Sequence, residues 1–427
     1  MLLTIEKLVY GGDGLARLPA DEHGRGKAAF LPFVLSGEEV EATITEEKPG
    51  FVRAAADKIA QHSPHRVEPQ CPYFQRCGGC HYQHAAYEHQ LEIKSSILKE
   101  NLRRIARLEL PGGLALHPSP PWNYRNRTRL KVHNNPQFAL GYYKLNSHDL
   151  LPVEQCPISS PLINQAIAAV RQLGASGIFP GGTQEIELFA GADDASLLCE
   201  VHCGPATATS EAEVLARELE ATIPSATGTV VFKAAGGEPQ AIATAGSSSL
   251  TYTTPSARYR VSAGAFFQVN RHLVSELASI VTQGQTGQLA LDLYSGGGFF
   301  SVELARTFAQ VIAVESSQIS HSDLAYNSPA NVKPVRAQVE TYLENMGNRL
   351  RPDLVVVDPP RNGMTEKVAR RLAALAAPRL IYVSCDPATL ARDLKGLTTG
   401  GYRVEQAHLV DLFPQTYHLE SVVYLSR

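Results

Sequence analysis

The period of the apolar positions changes three times along the chain. Up to about residue 60 it is two: Val40, Ala42 and Ile44 alternate with Glu41, Thr43 and Thr45, as in a half-buried strand. Residues 5 to 17 give a strand, a Gly-Gly-Asp-Gly turn and a second strand. Short strands of this kind close into a small OB-like β-barrel, which either binds nucleic acid or simply packs. The polar, proline-bearing stretch 61–70 is a linker. Residues 90–108 carry Leu91, Leu98, Leu102 and Ile105 at steps of seven, four and three, which predicts a helix with one apolar face that ends before Pro111. Residues 120–260 mix alternating strands with one helical stretch, 163–173. From Phe266 onward, short apolar runs at 289–294, 311–315, 354–358 and 380–384 are separated by helical segments, which predicts a doubly wound parallel sheet. The expectation is a multidomain α/β protein: a β-barrel at 1–60, an α+β region at 61–260 and a Rossmann-like domain at 261–427.

A chain of 427 residues with 44% hydrophobic and 19% charged residues has enough apolar material for several cores, which excludes a disordered polyelectrolyte. Its 39 Lys and Arg against 42 Asp and Glu leave a net charge of -3, so any nucleic acid must be held by local patches. The densest patch is RNRTRLK, where Arg125, Arg127, Arg129 and Lys131 recur at every second residue. On a strand they share one face and repel unless an anion lies on them; a phosphate backbone is the expected anion, a solvated edge strand the alternative. Glu6 and Lys7 break the N-terminal apolar stretch, and no later segment approaches a membrane span, so a cytoplasmic protein without membrane association is expected. The seven cysteines, Cys71, Cys77, Cys80, Cys156, Cys199, Cys203 and Cys385, are an odd number in a long chain and fit a reducing compartment.

Candidate chemistry gathers at the ends of the predicted parallel strands. The run from Asp292 through Tyr294 to Gly298 (DLYSGGG) ends the first strand, where glycines let a ligand approach the backbone. The spacing is not G-x-G-x-x-G, which argues against a dinucleotide. Glu315 ends the second strand, placed to accept hydrogen bonds from ribose hydroxyls. Gln338 lies near the end of the third, and Asp358-Pro359-Pro360-Arg361 ends the fourth as a rigid loop over the cofactor, much as the amino-methylating enzymes of adenine and cytosine use a related Pro-Pro motif.

Cys385 follows the next apolar strand and enters a turn, where a thiolate can add to an electrophilic ring carbon. Methylation at carbon 5 of a pyrimidine needs such a thiol, a methyl donor and a base, because carbon 5 becomes nucleophilic only after addition at carbon 6. Glu420, beside the final apolar strand, is the candidate base if burial raises its pKa. Cys71, Cys77 and Cys80, joined by the distant Cys156, supply four thiolates for zinc or for a [4Fe-4S] cluster, and spacing alone does not choose. A radical enzyme is disfavoured, since its usual cysteine spacing differs.

Taken together, CPYFQRCGGCHYQH at 71–84, CP at 156–157, FFQVN at 266–270, DLYSGGG, DPPRNG, SCDPATLARDL and HLESV resemble the RNA 5-methyluridine methyltransferase family. The resemblance is to the branch with an N-terminal TRAM domain and an iron-sulfur cluster that modifies 23S ribosomal RNA, and it spans almost the whole chain. It implies Cys385 as nucleophile and Glu420 as base, with Gln268, Tyr294, Glu315, Gln338 and Asp358 in or beside the S-adenosylmethionine and uracil sites. It further implies a [4Fe-4S] cluster on Cys71, Cys77, Cys80 and Cys156, with a structural or RNA-positioning role. The expected partner is RNA, 23S ribosomal RNA first and transfer RNA second, with the target uridine flipped out; no obligate protein partner is expected, and the default state is a monomer. A 5-methylcytosine methyltransferase and a non-catalytic iron-sulfur RNA-binding protein are the rival classes. The chain departs from the family at Phe299, where relatives often carry Asn or Thr, and Cys199 and Cys203 have no family role and are expected in the core.

Overall fold

The structure is a computed structural model describing residues 1–427 apart from 20–25, 111, 135–136, 235, 237 and 347–348. Its N-terminal sheet has six strands in the order Leu2–Thr4, Glu39–Glu47, Phe51–Gln61, Ala28–Leu31, Gly14–Arg17, Lys7–Leu8. The two outermost strands are consecutive in the chain, so their continuity through Ile5 closes the sheet into a barrel. Ile5 N donates to Glu38 O at 2.9 Å and Glu6 N to Leu15 O at 2.8 Å across that junction. Val40 and Ala42 point inward with Leu31 and Val52, as the alternation predicts.

The predicted helix spans Tyr87–Asn101 and runs on as a π-helical turn, Leu102–Ala106. The wider turn shifts the phase of its apolar face. Ala106 is therefore buried, whereas Ile105, expected on that face, is exposed.

The central sheet has seven strands in the order Leu150–Pro152, Phe138–Tyr143, Arg127–Asn134, Thr183–Ala190, Leu197–Cys203, Ala226–Lys233, Gln240–Gly246. Two helices, Pro161–Ala175 and Thr209–Thr222, bury their apolar sides in its core, where Cys199 and Cys203 also lie. The second helix was not expected from the sequence. Its buried stripe consists of Ala212, Leu215, Ala216 and Leu219, and the weak apolar contrast of alanine hides it in an Ala-rich stretch.

The C-terminal sheet has the order Val332–Arg336, Phe308–Glu315, Gly287–Leu293, Leu354–Val357, Arg379–Ser384, Glu420–Ser426, Arg403–Val410, Ala115–His117. The first five strands are parallel, and Glu420–Ser426 runs antiparallel to both of its neighbours. Strand order reverses between Gly287–Leu293 and Leu354–Val357, which opens the crevice where open α/β sheets bind ligands. One core joins Leu8 and Leu35 of the barrel, Tyr82 of the cysteine-rich segment, Ile97 of the first helix, and Leu291 and Val355 of this sheet. Among the described residues no helix is long and apolar enough to cross a membrane.

Candidate active site

The crevice floor is the turn after Gly287–Leu293. Tyr294, Gly296 and Gly298 take positive φ values of 63°, 53° and 90°. A side chain at Gly298 would come within 2.9 Å of Leu324, so glycine is needed there for space as well as conformation. Gly296 N and Ser317 N both donate to the Glu315 carboxylate, at 2.9 and 2.6 Å, which ties the glycine turn to the end of the second strand. Asn327 Nδ2 donates to Gly297 O at 2.9 Å. Tyr294 is half-buried; Gln338 is exposed just beyond Val332–Arg336 and opens the helix Val339–Met346.

Asp292, which the sequence shows only as the first letter of DLYSGGG, is fully buried. Ser301 Oγ donates to one carboxylate oxygen at 2.5 Å, while the other oxygen and the buried Ser295 Oγ have no partner. Burial pushes the Asp292 pKa up to about 7, with the nearby Glu315 adding to it. Unpaired buried polar atoms at a switch point mark a place where a polar ligand belongs. The Phe299 side chain is apolar, and its ring packs edge-on against Phe267 at 5.7 Å.

Asp358 and Cys385 end adjacent strands. The Asp358 loop is braced from the helix Pro387–Thr399: Arg392 donates to Asn362 O and Met364 O, both at 2.9 Å, and Thr389 Oγ1 donates to Arg361 O at 3.1 Å. Asp386 caps that helix by accepting from Ala388 N and Thr389 N, fixing the turn that carries Cys385. Glu420 is 7% exposed on the neighbouring strand. The antiparallel pairing ends at Ser384 and Ser421; Cys385 follows the one and Glu420 precedes the other, close enough for the Glu420 charge to act on the thiol.

The electrostatics of this corner are strongly acidic. Burial and the Asp292 charge raise Asp358 to about 7, and burial followed by the Asp358 charge holds Glu420 well above the ordinary carboxylate range. Burial and then Glu420 push the Cys385 thiol up to about 12. Arg361 opposes both shifts, favouring the thiolate and the ionised glutamate. The sequence shows Arg361 only as the last letter of DPPR; its place beside the thiol is legible only in three dimensions.

The alternating cations, expected to meet a phosphate backbone, are instead paired with carboxylates of the protein itself. Arg127 pairs with the buried Glu187 and, at 3.0 Å, with Glu200; Arg129 reaches Glu187 at 2.5 Å and Glu185 at 3.4 Å; Lys131 pairs with Glu185. The anion on this face is thus supplied by the neighbouring strands Thr183–Ala190 and Leu197–Cys203, and no phosphate is required to relieve the repulsion. Arg125 lies before the strand, with its Nε on Arg127 O at 2.9 Å. The segment has a different task. Arg127 Nη1 donates to Ala265 O at 2.5 Å, Asn126 N to Val269 O at 3.0 Å and Arg271 N to Tyr124 O at 2.9 Å, which fixes the stretch bearing the buried Gln268.

Cys71, Cys77, Cys80 and Cys156 line one cavity of about 210 Å³ together with Tyr73, Phe74, Gln83, Arg125 and Tyr142. Gln83 accepts from Cys71 N at 3.1 Å and Asn164 from Cys156 N at 2.8 Å. Burial raises Cys77 to about 11, and the Cys156 charge adds to it. Among the described residues no three His, Cys, Asp or Glu side chains converge as ligands of a single ion. His81 N and Tyr82 N donate to Gln415 O at 2.8 and 2.9 Å, while Gln90 bonds Gln415, Tyr82 and Ala85, linking this segment to the loop before Glu420.

The whole chain superposes on the crystal structure of Pyrococcus abyssi tRNA (uracil-54, C5)-methyltransferase in complex with S-adenosyl-L-homocysteine, with a TM-score of 0.77, 22% identity and full coverage of both chains. The fold is therefore that of a methyltransferase. A sequence profile of the tRNA (uracil-5-)-methyltransferase family matches residues 247–427, and one of the TRAM domain matches residues 1–56. An uncharacterized RNA methyltransferase of Aquifex aeolicus is 33% identical over 430 residues, covering 99% of this chain and 97% of its own. The 23S rRNA (uracil(1939)-C(5))-methyltransferase RlmD of Pseudomonas entomophila is 31% identical over 440 residues, covering 98% and 92%. The chain belongs to the family of S-adenosylmethionine-dependent RNA uracil-C5-methyltransferases, with an N-terminal TRAM domain.

Proposed function

We propose that this enzyme methylates carbon 5 of a flipped-out uridine in 23S ribosomal RNA, with Cys385 as nucleophile and Glu420 as base. The observation that carries the reading is the nearness of Cys385 and Glu420, the residues next to the Ser384–Ser421 strand pair, with the Glu420 charge acting on the thiol. The Pseudomonas relative named for 23S rRNA, similar over nearly the whole chain, supports the choice of RNA.

Cys385 Sγ, once ionised, adds to uracil carbon 6, and the electron pair of the 5,6 double bond moves onto the carbon 4 carbonyl. Carbon 5 is then nucleophilic and takes a methyl group. Glu420 removes the remaining proton from carbon 5; the freed pair restores the double bond and expels Cys385. Arg361 favours the ionised forms that addition and proton removal require, and the raised pKa of Glu420 makes its carboxylate a strong proton acceptor. S-adenosylmethionine, when bound, supplies the methyl group. Asp292, Ser295, Glu315, Tyr294 and Gln338 would line its site, and Asp358 and Gln268 would face the uracil. The buried carboxylates Asp292 and Asp358 suit a cationic donor.

Cys71, Cys77, Cys80 and Cys156 would hold a [4Fe-4S] cluster. Zinc needs four ligand atoms about 2.0–2.3 Å from one point; thiols arranged around a cavity suit a body of several atoms. Iron and sulfide analysis of anaerobically purified protein tests this, with broad visible absorbance that dithionite bleaches as the expected result. Zinc in place of iron would contradict it.

The substrate is tested by transfer from labelled S-adenosylmethionine to unmodified 23S RNA and transfer RNA in separate reactions, followed by nucleoside analysis. Label as 5-methyluridine in 23S RNA is expected; label confined to transfer RNA, or found in 5-methylcytosine, would refute the assignment.

A further inference from the structure

The tip of the barrel's first hairpin, residues 9–13, reaches the turn that carries Cys385. Tyr10 Oη donates to the main-chain carbonyl of Cys385 at 3.3 Å, across 375 positions of sequence. The Tyr10 ring stands edge-on to Tyr417, with centroids 5.3 Å apart and planes at 86°. Tyr417, three residues before Glu420, is in turn edge-on to His81 at 4.6 Å, and His81 follows Cys80. Gly12 lies against the same histidine: a Cβ there would be 3.0 Å from His81 Cβ, and its φ of +99° already excludes most side chains. The hairpin tip is thus wedged between the cysteine-rich segment and the loops carrying nucleophile and base.

The side chains flanking Cys385 are held locally. Ser384 Oγ accepts from Asp386 N at 3.2 Å and donates to Asp386 O at 3.1 Å, and the Asp386 carboxylate holds the next two N–H groups. The Cys385 carbonyl is held from the barrel instead. The carbonyl carbon and Cβ of Cys385 share one Cα, so holding that carbonyl restrains the backbone from which the side chain projects.

We propose that Tyr10 is a positioning residue for the nucleophile: through its hydroxyl on the Cys385 carbonyl and its ring on Tyr417, the TRAM barrel aims Cys385 Sγ at the substrate base. The proposal rests on the reading of Cys385 as nucleophile. It makes the barrel part of the catalytic machinery as well as a candidate RNA-binding module, so that RNA engaging the barrel bears directly on the reacting thiol.

The test uses the full-length enzyme and RNA carrying 5-fluorouridine at the target position. Fluorine at carbon 5 cannot leave as a cation, so the methylated cysteine adduct accumulates and its formation rate can be measured beside ordinary turnover. Loss of one hydrogen bond predicts that Tyr10→Phe lowers kcat about fivefold and slows adduct formation by the same factor. KM for RNA and for donor should stay within about twofold, and the retained ring should keep the melting temperature. Tyr10→Leu, which also loses the contact to Tyr417, should fall further in kcat. Wild-type kcat and adduct rate in Tyr10→Phe would overturn the proposal, as would a rise in KM for RNA at unchanged kcat. Cys385→Ala in the same assay separates the two claims: if it is inactive while Tyr10→Phe is fully active, only the Tyr10 proposal falls; if it methylates RNA, the nucleophile assignment falls and the proposal with it.

Discussion

Ser384 and Ser421 face each other across two antiparallel strands, and Ser421 Oγ donates to Ser384 O at 3.1 Å, a second tie beyond the sheet ladder. The residues one step further along that register are Cys385 and Glu420. The proposed nucleophile and base thus adjoin paired strand ends of one sheet, with Glu420 on its strand and Cys385 in the turn that follows its own. The loops above them supply Arg361, Asp358 and Tyr10.

Stability should fall with rising pH through Asp292. Its folded value of about 7, against an ordinary 3.8, means that the folded state binds the proton more tightly than the unfolded state. That contribution is full below about pH 4 and is lost as pH rises through 7, on the order of 4 kcal/mol if fully expressed. Glu38 and Glu187, held below their ordinary values, act with the opposite sign in the acid range, so the comparison must be a difference. Melting temperatures of the donor-free wild type and Asp292→Asn between pH 5 and 8 should diverge, with the variant losing less as pH rises. Parallel curves would contradict the assignment.

The same acidic group predicts a pH-dependent preference for a cationic ligand. Calorimetric affinity for S-adenosylmethionine should strengthen between pH 6 and 8 as Asp292 and Asp358 ionise, and affinity for S-adenosylhomocysteine, which lacks the sulfonium charge, should change less. Equal pH dependence for the two would remove the sulfonium from this corner.

The paired cations predict little in RNA binding. Arg129→Ala and Lys131→Ala should leave the salt dependence of RNA affinity unchanged, since Glu185 and Glu187 already neutralise these side chains. A phosphate contact would instead reduce the log-log slope by about 1. Arg127→Met should destabilise the fold by roughly 3–5 kcal/mol, read by denaturant unfolding, because it strands Glu200 in the interior and leaves Glu187 with Arg129 alone; adding Glu200→Gln should recover part of the loss.

The RNRTRLK segment shows where sequence reasoning stops. Alternation put the strand and its cations in view, but the partners Glu185, Glu187 and Glu200 lie 54 to 73 positions away and belong to other strands, so nothing local reveals them. The parallel strands, the glycine turn and the barrel's alternation were legible because each rests on short-range periodicity or turn chemistry. The phase shift at Ile105 was not, since a π-helical turn keeps the same residues and changes only their facing. Asp292 stood in a quoted motif, but its importance lies in burial and an unsatisfied oxygen. Tyr10 could not be read at all: its partner is a main-chain carbonyl at the other end of the chain.

The pairing of Cys385 with Glu420 is tested most directly by trapping. Glu420→Gln, incubated with labelled target RNA and S-adenosylmethionine, should accumulate a covalent RNA–protein species on a denaturing gel, because methylation proceeds while proton removal and release of the thiol do not. The adduct should disappear when Cys385→Ala is combined with it. Normal turnover by Glu420→Gln, or no adduct from folded protein that binds both donor and RNA, would contradict the account.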